Sequence, residues 1–461
     1  MPRVKKTSTD SNVKKTEERS GKVIPRLLGM KDILGSECVC YDLLVNKALN
    51  LAKAYSFSPI KTPIIESFDL YKKSTRSNLE REFYAVEGEK SERLVLRPEL
   101  TQGILRAYLE NKLNEGNLPV RLFSLGPIFR REKLQSGRYR ESTQLDLEII
   151  GEKNPITEAI LISIAHNFFE ELGIATQVQV NSIGSVECRR EYSSKLMAFY
   201  KERGRRSKLC NSCKNNLGKN ILGLLDCKED ACVKLREEAP QIADYLSDES
   251  REYFTKTLEF LDELNISYNF NPYLVRGLNY YNDTVFEFWP LNEDGSAQGK
   301  LALAGGGRYD SLINSLGGEP TPAIGLAIGI ERTLSRLKDK HSLANPGEEN
   351  IIFIAQLGEQ AKLKALQLFQ ELRKAGFNVK QSFTSDSLRT QLEEAAALKA
   401  RTCLILGKKE ILDGTILMRD MDSSAQEVVV FKKIKERLIK KDKIIEKRLN
   451  IRKEEELHGR L

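Results

Sequence analysis

Apolar residues recur at helical spacing between Asp42 and Tyr55, where Leu43, Leu44, Ala48, Leu51 and Ala52 define an amphipathic helix. The stretch FSPIKTPIIES that follows is strand-like, and Pro59 and Pro63 confine it to an edge or boundary position. RLVLRPELTQGILRAYLENKL, Arg93 to Leu113, reads as a short strand, a proline turn carrying Glu99 and Thr101, and a helix that Thr101 is placed to cap. Residues 121–150 read as strand, loop, strand. In the return strand Gln144, Asp146 and Glu148 fall at period two on one face, with Leu145, Leu147 and Ile149 on the other. Residues 155–270 are mostly helical apart from the short strand TQVQVNSIG.

LVRGLNYYNDTVFEF, Leu274 to Phe288, ends in a strand from Thr284. KLALAGGGRYDSLI reads as a strand, a glycine turn and a helix. PAIGLAIGIERTLSRL reads as a small-residue strand and a helix opening at about Gly329 to Arg332. Beyond the polar linker KDKHSLANPGEEN, strands and helices alternate from Ile351 to Phe431, the signature of an α/β domain.

A chain of 461 residues, 40% hydrophobic and 30% charged, is expected to form more than one domain and contains no apolar run long enough to cross a membrane. Its N-terminus lacks the apolar middle of a secretory signal, so a cytoplasmic location is expected. The net charge of +8 is unevenly distributed: residues 1–26 carry +5 and residues 431–461 carry +6, leaving the middle at −3. The basic tails could touch a polyanion or simply be solvated, so any nucleic-acid role of the remainder must rest on specific surfaces.

The chemistry-bearing residues cluster in a few stretches. In RGLNYY, Arg276 beside Gly277 and two tyrosines suits a small ligand with an anionic group and a polar ring; a buried strand with a salt-bridged arginine is the plainer reading. If Tyr280 and Tyr281 lie in a strand they point to opposite faces, and only one lines a given side of a pocket. The loop after residue 129 holds Arg130, Arg131, Glu132, Lys133, Arg138 and Arg140, cations matched to phosphate oxygens, although a solvent-facing hairpin shows the same pattern. Glu99 and Thr101 at a strand-to-helix junction can hold an ammonium group or merely complement the helix end. Arg332, in the first turn of its helix, can hold an anion.

Cys210, Cys213, Cys227 and Cys232 follow a C-x2-C-x13-C-x4-C spacing that resembles a zinc ribbon, while the helix-like NNLGKNILGLLDC between them fits buried thiols. Both readings stay open, and no catalytic metal ligand is assigned. His166 reads as a packed residue, His341 and His458 fall in polar segments, and histidine-based catalysis is not expected.

Taken together and in order, RPELT, FRREKLQSGRYRESTQLDLE, RGLNYYNDTVFE, GGGRYD and GLAIGIER resemble the histidyl-tRNA synthetases, a class II aminoacyl-tRNA synthetase family, from about Arg26 to Phe431. The resemblance implies a catalytic domain over 23–340 with a six- or seven-stranded, mainly antiparallel sheet flanked by helices and a helical insertion at about 186–265. A linker at 341–350, an anticodon-binding α/β domain at 351–431, a disordered arm at 1–22 and a charged helical extension at 432–461 complete the expected layout.

By the same resemblance, Glu99, Thr101 and Gln144 would bind the α-amino group of histidine, Glu148 with Tyr281 would reach the imidazole, and Tyr280 would wall the pocket. Arg130 would hold the α-phosphate and the substrate carboxylate, Glu132 would lie near adenine, Arg138 and Arg332 would hold the γ-phosphate, and Arg276 would be the histidine-specific catalyst. ATP is implied as substrate with Mg²⁺, and L-histidine and tRNA(His) as partners. A homodimer is implied, built partly through the helix before Pro63 and the strand containing it. The chain departs from the family pattern at Leu100, Ser142, Thr143, Asn279 and Ser311, none of which carries a role named above. The alternative is an inactive relative, the regulatory subunit of ATP phosphoribosyltransferase. That protein usually lacks the C-terminal domain and parts of the RGLNYYNDTVFE signature.

Overall fold

The computed structural model describes residues 23–72, 83–89, 92–131, 137–202, 204–278, 280–292, 294, 301–338, 350–382 and 385–441. The arm at 1–22, Glu132, most of the linker and residues 442–461 lie outside these. The chain divides into two compact units between Leu343 and Ala344.

The first unit begins with α1 (Ser36–Ala54), β1 (Ser58–Pro59), β2 (Ile65–Ser67), α2 (Phe68–Lys72), β3 (Tyr84–Glu87), β4 (Arg93–Leu96) and α3 (Thr101–Glu110). It continues through β5 (Val120–Phe129), β6 (Glu141–Ile150), α4 (Ile156–Glu171) and β7 (Thr176–Ser182). Five helices follow, α5 (Val186–Lys201), α6 (Arg205–Lys208), α7 (Asn211–Asn216), α8 (Asp230–Glu237) and α9 (Asp248–Glu263). Then come β8 (Tyr268–Phe270), β9 (Asn282–Pro290), β10 (Ala304–Arg308), α10 (Leu312–Ser315), β11 (Ala323–Gly329) and α11 (Ile330–Lys338).

Eight strands form the main sheet in the order β1-β5-β6-β11-β10-β9-β7-β8. Its six central strands pair antiparallel, and β1 and β8 add one parallel strand at each edge. The sheet thus exceeds the expected six or seven strands because the edges recruit two very short segments. The proline rule holds at one of them: Pro59 lies in the edge strand, where a missing N–H costs no ladder bond. Beside this sheet stands a small antiparallel one, β2-β4-β3.

The two faces of the main sheet have different tasks. One packs Leu145, Leu147, Ile149, Phe286, Phe288 and Leu326 against Leu44, Ala48 and Ala52 of α1 and Phe168 and Phe169 of α4, all buried. Each fully buried Leu, Ile or Phe among them contributes about 1.5–3 kcal/mol. On the other face β6 presents Gln144, Asp146 and Glu148, and here the sequence alternation is decisive. Asp146 and Glu148 are 2% and 1% exposed, so this is no solvent-facing hairpin.

The glycines of GGGRYD lie within β10 itself and not in a turn. An added Cβ on Gly306 would sit 2.1 Å from the Gly325 carbonyl oxygen, so only glycine lets β10 and β11 pair this closely. The next residue, Arg308, is fully buried. It donates to both carboxylate oxygens of Glu158, at 2.7 and 3.1 Å, and to Asp310 at 3.1 Å, anchoring β10 to α4.

In the second unit β12 (Ile352–Gln356), α12 (Glu359–Lys374), β13 (Val379–Gln381), α13 (Leu388–Ala397), β14 (Thr402–Leu406), α14 (Lys408–Asp413), β15 (Thr415–Asp420) and β16 (Gln426–Val430) build a mixed sheet ordered β13-β12-β14-β15-β16. A helix over 434–441 continues it. Ile434 and Leu438, one helical turn apart, are buried in this unit's core, and Arg437 holds Glu427 by two bonds of 2.8 Å. The first part of the expected charged extension is therefore packed structure.

Candidate active site

The polar column of β6 opens to a cavity at Gln144 and Asp146, whose cross-strand neighbours are small. Gln144 pairs with Gly126 and Gly329, Asp146 with Ser124 and Ala327, and Glu148 with Leu122 and Gly325. Opposed residues share a face of the sheet, so the small partners of Gln144 and Asp146 leave a depression above them. The result is a cavity of about 340 Å³, a size suited to a small ligand. Nine of the eleven predicted site residues line it: Glu99, Thr101, Arg130, Arg138, Gln144, Arg276, Tyr280, Tyr281 and Arg332.

Three acceptors at the cavity are unpaired. Glu99 Oε2, Gln144 Oε1 and Asp146 Oδ1 are buried and make no hydrogen bond in the structure. Buried polar atoms are ordinarily paired, so three converging orphan acceptors point to a ligand with several N–H donors. Thr101 does not cap α3: it is the first helical residue, and Leu100 at the cap position gives no side-chain bond. Glu99 takes the task instead, accepting the Gln102 N–H at 2.9 Å through Oε1 and leaving Oε2 for the cavity. Burial is the main reason that the pKa values of Glu99, Asp146 and Glu148 lie above the ordinary carboxylate range. Repulsion from Glu99 adds to Asp146, repulsion from Asp146 adds to Glu148, and Arg130 opposes the rise at Glu99 and Asp146. A bound cation would relieve this crowding of acids.

Aromatic rings form a second group. Tyr280 and Tyr281 precede β9, which opens at Asn282, so strand alternation does not separate them. Both line the cavity with ring centroids 4.7 Å apart, and Tyr309 completes a cluster at 5.7 and 6.4 Å. Glu148 does not line the cavity. It lies beneath, where the Tyr309 hydroxyl donates to its Oε2. A Cβ on Gly325 would come within 1.9 Å of that oxygen.

Cations form a third group of lining residues. Arg130 Nε donates to the Pro98 carbonyl at 2.6 Å, joining the cationic loop to the turn that carries Glu99. Arg332 Nη1 donates to the Ala302 carbonyl at 2.9 Å. Arg276 Nη1 donates to Glu287 Oε1 at 2.6 Å, and its guanidinium lies 5.6 Å from the Tyr281 ring centroid. Burial works against this charge, but Tyr281 and Glu287 more than offset it and hold Arg276 protonated. Glu331 lines the cavity beside Arg332 and accepts the Thr143 N–H at 2.7 Å.

Sequence reading assigned no task to Asp146, Glu287 or Tyr309. All three stood inside the singled-out stretches, and the period-two pattern that placed Gln144 and Glu148 on one face held the signal for Asp146. Asp226 and Lys228, which form part of the wall, gave no local signal, because the insertion reaches the cavity only through the fold.

Comparison with known proteins supplies the remaining observation. Residues 29–333 match the family model for histidyl-tRNA synthetase and residues 351–441 match that for the anticodon binding domain. A histidine-tRNA ligase of Thermosipho melanesiensis is 37% identical over 405 residues, 87% of this chain and 95% of that protein. The enzyme of the same name from Syntrophotalea carbinolica is 36% identical over 422 residues, 91% of this chain and 99% of the other. The crystal structure of apo S. aureus histidyl-tRNA synthetase, 28% identical, aligns with a TM-score of 0.76 over 90% of this chain and 100% of its own. Unpaired acceptors, paired tyrosines and arginines line one cavity on a mixed sheet of the fold that these proteins share, and the chain belongs to the histidyl-tRNA synthetase family, the class II aminoacyl-tRNA ligases.

Proposed function

We propose that this chain activates L-histidine with ATP, giving histidyl-adenylate and pyrophosphate, and then transfers histidine to the 3′ end of tRNA(His) in the cytoplasm. The reading is carried by one observation: the unpaired acceptors of Glu99, Gln144 and Asp146 share a single cavity with Arg130 and Arg276. An amino acid seated there has its ammonium among the acceptors and its carboxylate toward the cations. The carboxylate then displaces pyrophosphate from the α-phosphorus of ATP without a protein nucleophile. Negative charge building on the α-phosphoryl oxygens meets guanidinium groups already in place, Arg130 and Arg276, while Arg138 and Arg332 hold the γ-phosphate.

Thr101 and Gln144 orient the amino group with Glu99, Tyr280 walls the pocket, and Tyr281, with Glu148 behind it, serves the imidazole. Glu132, outside the described residues, is assigned to the adenine. Mg²⁺ would enter with the ATP phosphates. Glu331, a carboxylate lining the cavity beside Arg332, fits the oxygen ligands such an ion takes, and the bound ion would offset phosphate charge.

The terminal ribose hydroxyl of the tRNA attacks the adenylate carbonyl, and the second unit reads the anticodon. A homodimer is supported by apolar side chains exposed on the single chain, among them Leu27, Leu28, Leu34, Ile64 and Ile65. The inactive regulatory relative is not favoured, because the cavity keeps both its arginines and its acceptors and residues 351–441 match the anticodon binding domain. Aminoacylation of unfractionated tRNA with each labelled amino acid tests the reading. Histidine alone should be incorporated, whereas incorporation of another amino acid, or of none, refutes it.

A further inference from the structure

The insertion between β7 and β8 brings together Cys210, Cys213, Cys227 and Cys232, whose four sulfurs lie within 4.8 Å of one another. All four are free thiols, and the Sγ atoms of Cys210 and Cys227 are 3.9 Å apart. That separation is far from the roughly 2.05 Å of a disulfide. It is close to the sulfur–sulfur spacing of about 3.8 Å that follows when four sulfurs surround zinc tetrahedrally at about 2.3 Å.

The backbone is arranged for thiolates as well. Cys210 stands at the N-cap of α7, where its Sγ accepts the Cys213 N–H at 3.4 Å, and Cys232 Sγ accepts the Cys210 N–H at 3.3 Å. Plain hydrophobic packing accounts poorly for this convergence, since Cys210 and Cys227 are only partly buried.

We propose that these four cysteines bind one structural Zn²⁺, ligated by two thiolates from the start of α7, one from the following loop and one from α8. The four thiols give up their protons to solvent as the ion binds. Protein ligands fill all four positions, so the ion does no chemistry of its own. It does shape the cavity: Asp226 and Lys228, on either side of Cys227, line the catalytic wall, and Lys228 Nζ lies 5.7 Å from the ring centroid of Trp289, another lining residue. The ion thereby fixes the insertion's edge of the pocket.

Elemental analysis of the full-length protein, isolated under reducing conditions without chelator, provides the test. About one zinc per chain is expected, released in step with mercurial titration of four thiols. Cobalt-reconstituted wild type should show the thiolate-to-metal charge-transfer and intense visible bands of a tetrahedral tetrathiolate site, a readout that needs no variant to fold. Cys227→Ser should lower metal retention at least tenfold, while Cys38→Ser, at an exposed cysteine of α1, leaves it unchanged. Zinc below about 0.1 equivalent after incubation with Zn²⁺ overturns the proposal. So does iron in place of zinc, or disulfides among the four cysteines in the freshly isolated protein.

Discussion

Arg276 Nη1 lies 2.6 Å from Glu287 Oε1, and Gly305, the cross-strand partner of Glu287, gives the guanidinium its room: a Cβ there would stand 2.3 Å from Nη1. The signature arginine is therefore oriented by a carboxylate on β9 and seated by an absent side chain on β10. Two neighbouring glycines consequently do different things. Gly305→Ala displaces the flexible end of Arg276 and should lower kcat about 100-fold, the order expected of a 1 Å misplacement, with little change in Tm. Gly306→Ala drives a methyl group against the Gly325 backbone and should destabilise the fold by about 1–3 kcal/mol. Steady-state kinetics and thermal melts of both variants check the contrast.

Acid should weaken histidine binding through the buried carboxyls. Glu99, Asp146 and Glu148 have folded-state pKa values raised chiefly by burial. Without ligand, the folded protein therefore holds protons that the unfolded chain releases. The cluster's contribution to stability is fully present below the ordinary carboxylate pKa and is lost as pH rises through the raised values. An ammonium ligand needs the ionised forms, so KM for histidine should rise as pH falls through those values. Asp146→Asn removes a like charge beside Glu148 and should move this acid limb to lower pH. A pH profile of KM in wild type and variant reads the shift, and an unmoved limb would show that Asp146 does not couple to the site.

Tyr309→Phe removes a donor to a buried carboxylate. Hydrogen bonds to charged groups contribute about 1.5–3 kcal/mol, so KM for histidine should rise about 10- to 100-fold. KM for ATP should stay within a factor of about two, because the Tyr309 hydroxyl donates to Glu148 and to no group assigned to ATP. Parallel substrate titrations separate the two outcomes.

Arg308→Met tests the buried anchor of β10. The substitution leaves Glu158 buried without its guanidinium, and loss of one partner of a buried pair costs about 3–5 kcal/mol. Chemical denaturation of the first unit should show a loss of this size.

Much of the site was legible because strand alternation is a strict rule. Gln144 and Glu148 could be placed on one face from the sequence alone, and of the arginines singled out in the loop after residue 129, Arg130 and Arg138 line the cavity. Reading failed where local rules meet tertiary ones. Tyr280 and Tyr281 share the cavity because the strand begins after them, and Glu148 is set behind Tyr309 by packing that no local pattern encodes. The edge strand β8 escaped because three residues carry no period, whereas the prolines of the strand-like FSPIKTPIIES marked β1 as an edge. Ile434 and Leu438 were visible at helical spacing, but the surrounding lysines masked them as a solvated extension.

Exchange of labelled pyrophosphate into ATP, measured with histidine in wild type and Arg276→Ala, tests the central claim most directly. The account predicts histidine-dependent exchange that falls by about two to three orders of magnitude in the variant, the usual loss on removing one preorganised charge-stabilising group. Exchange driven by a different amino acid, or exchange that survives the loss of Arg276 undiminished, would contradict it.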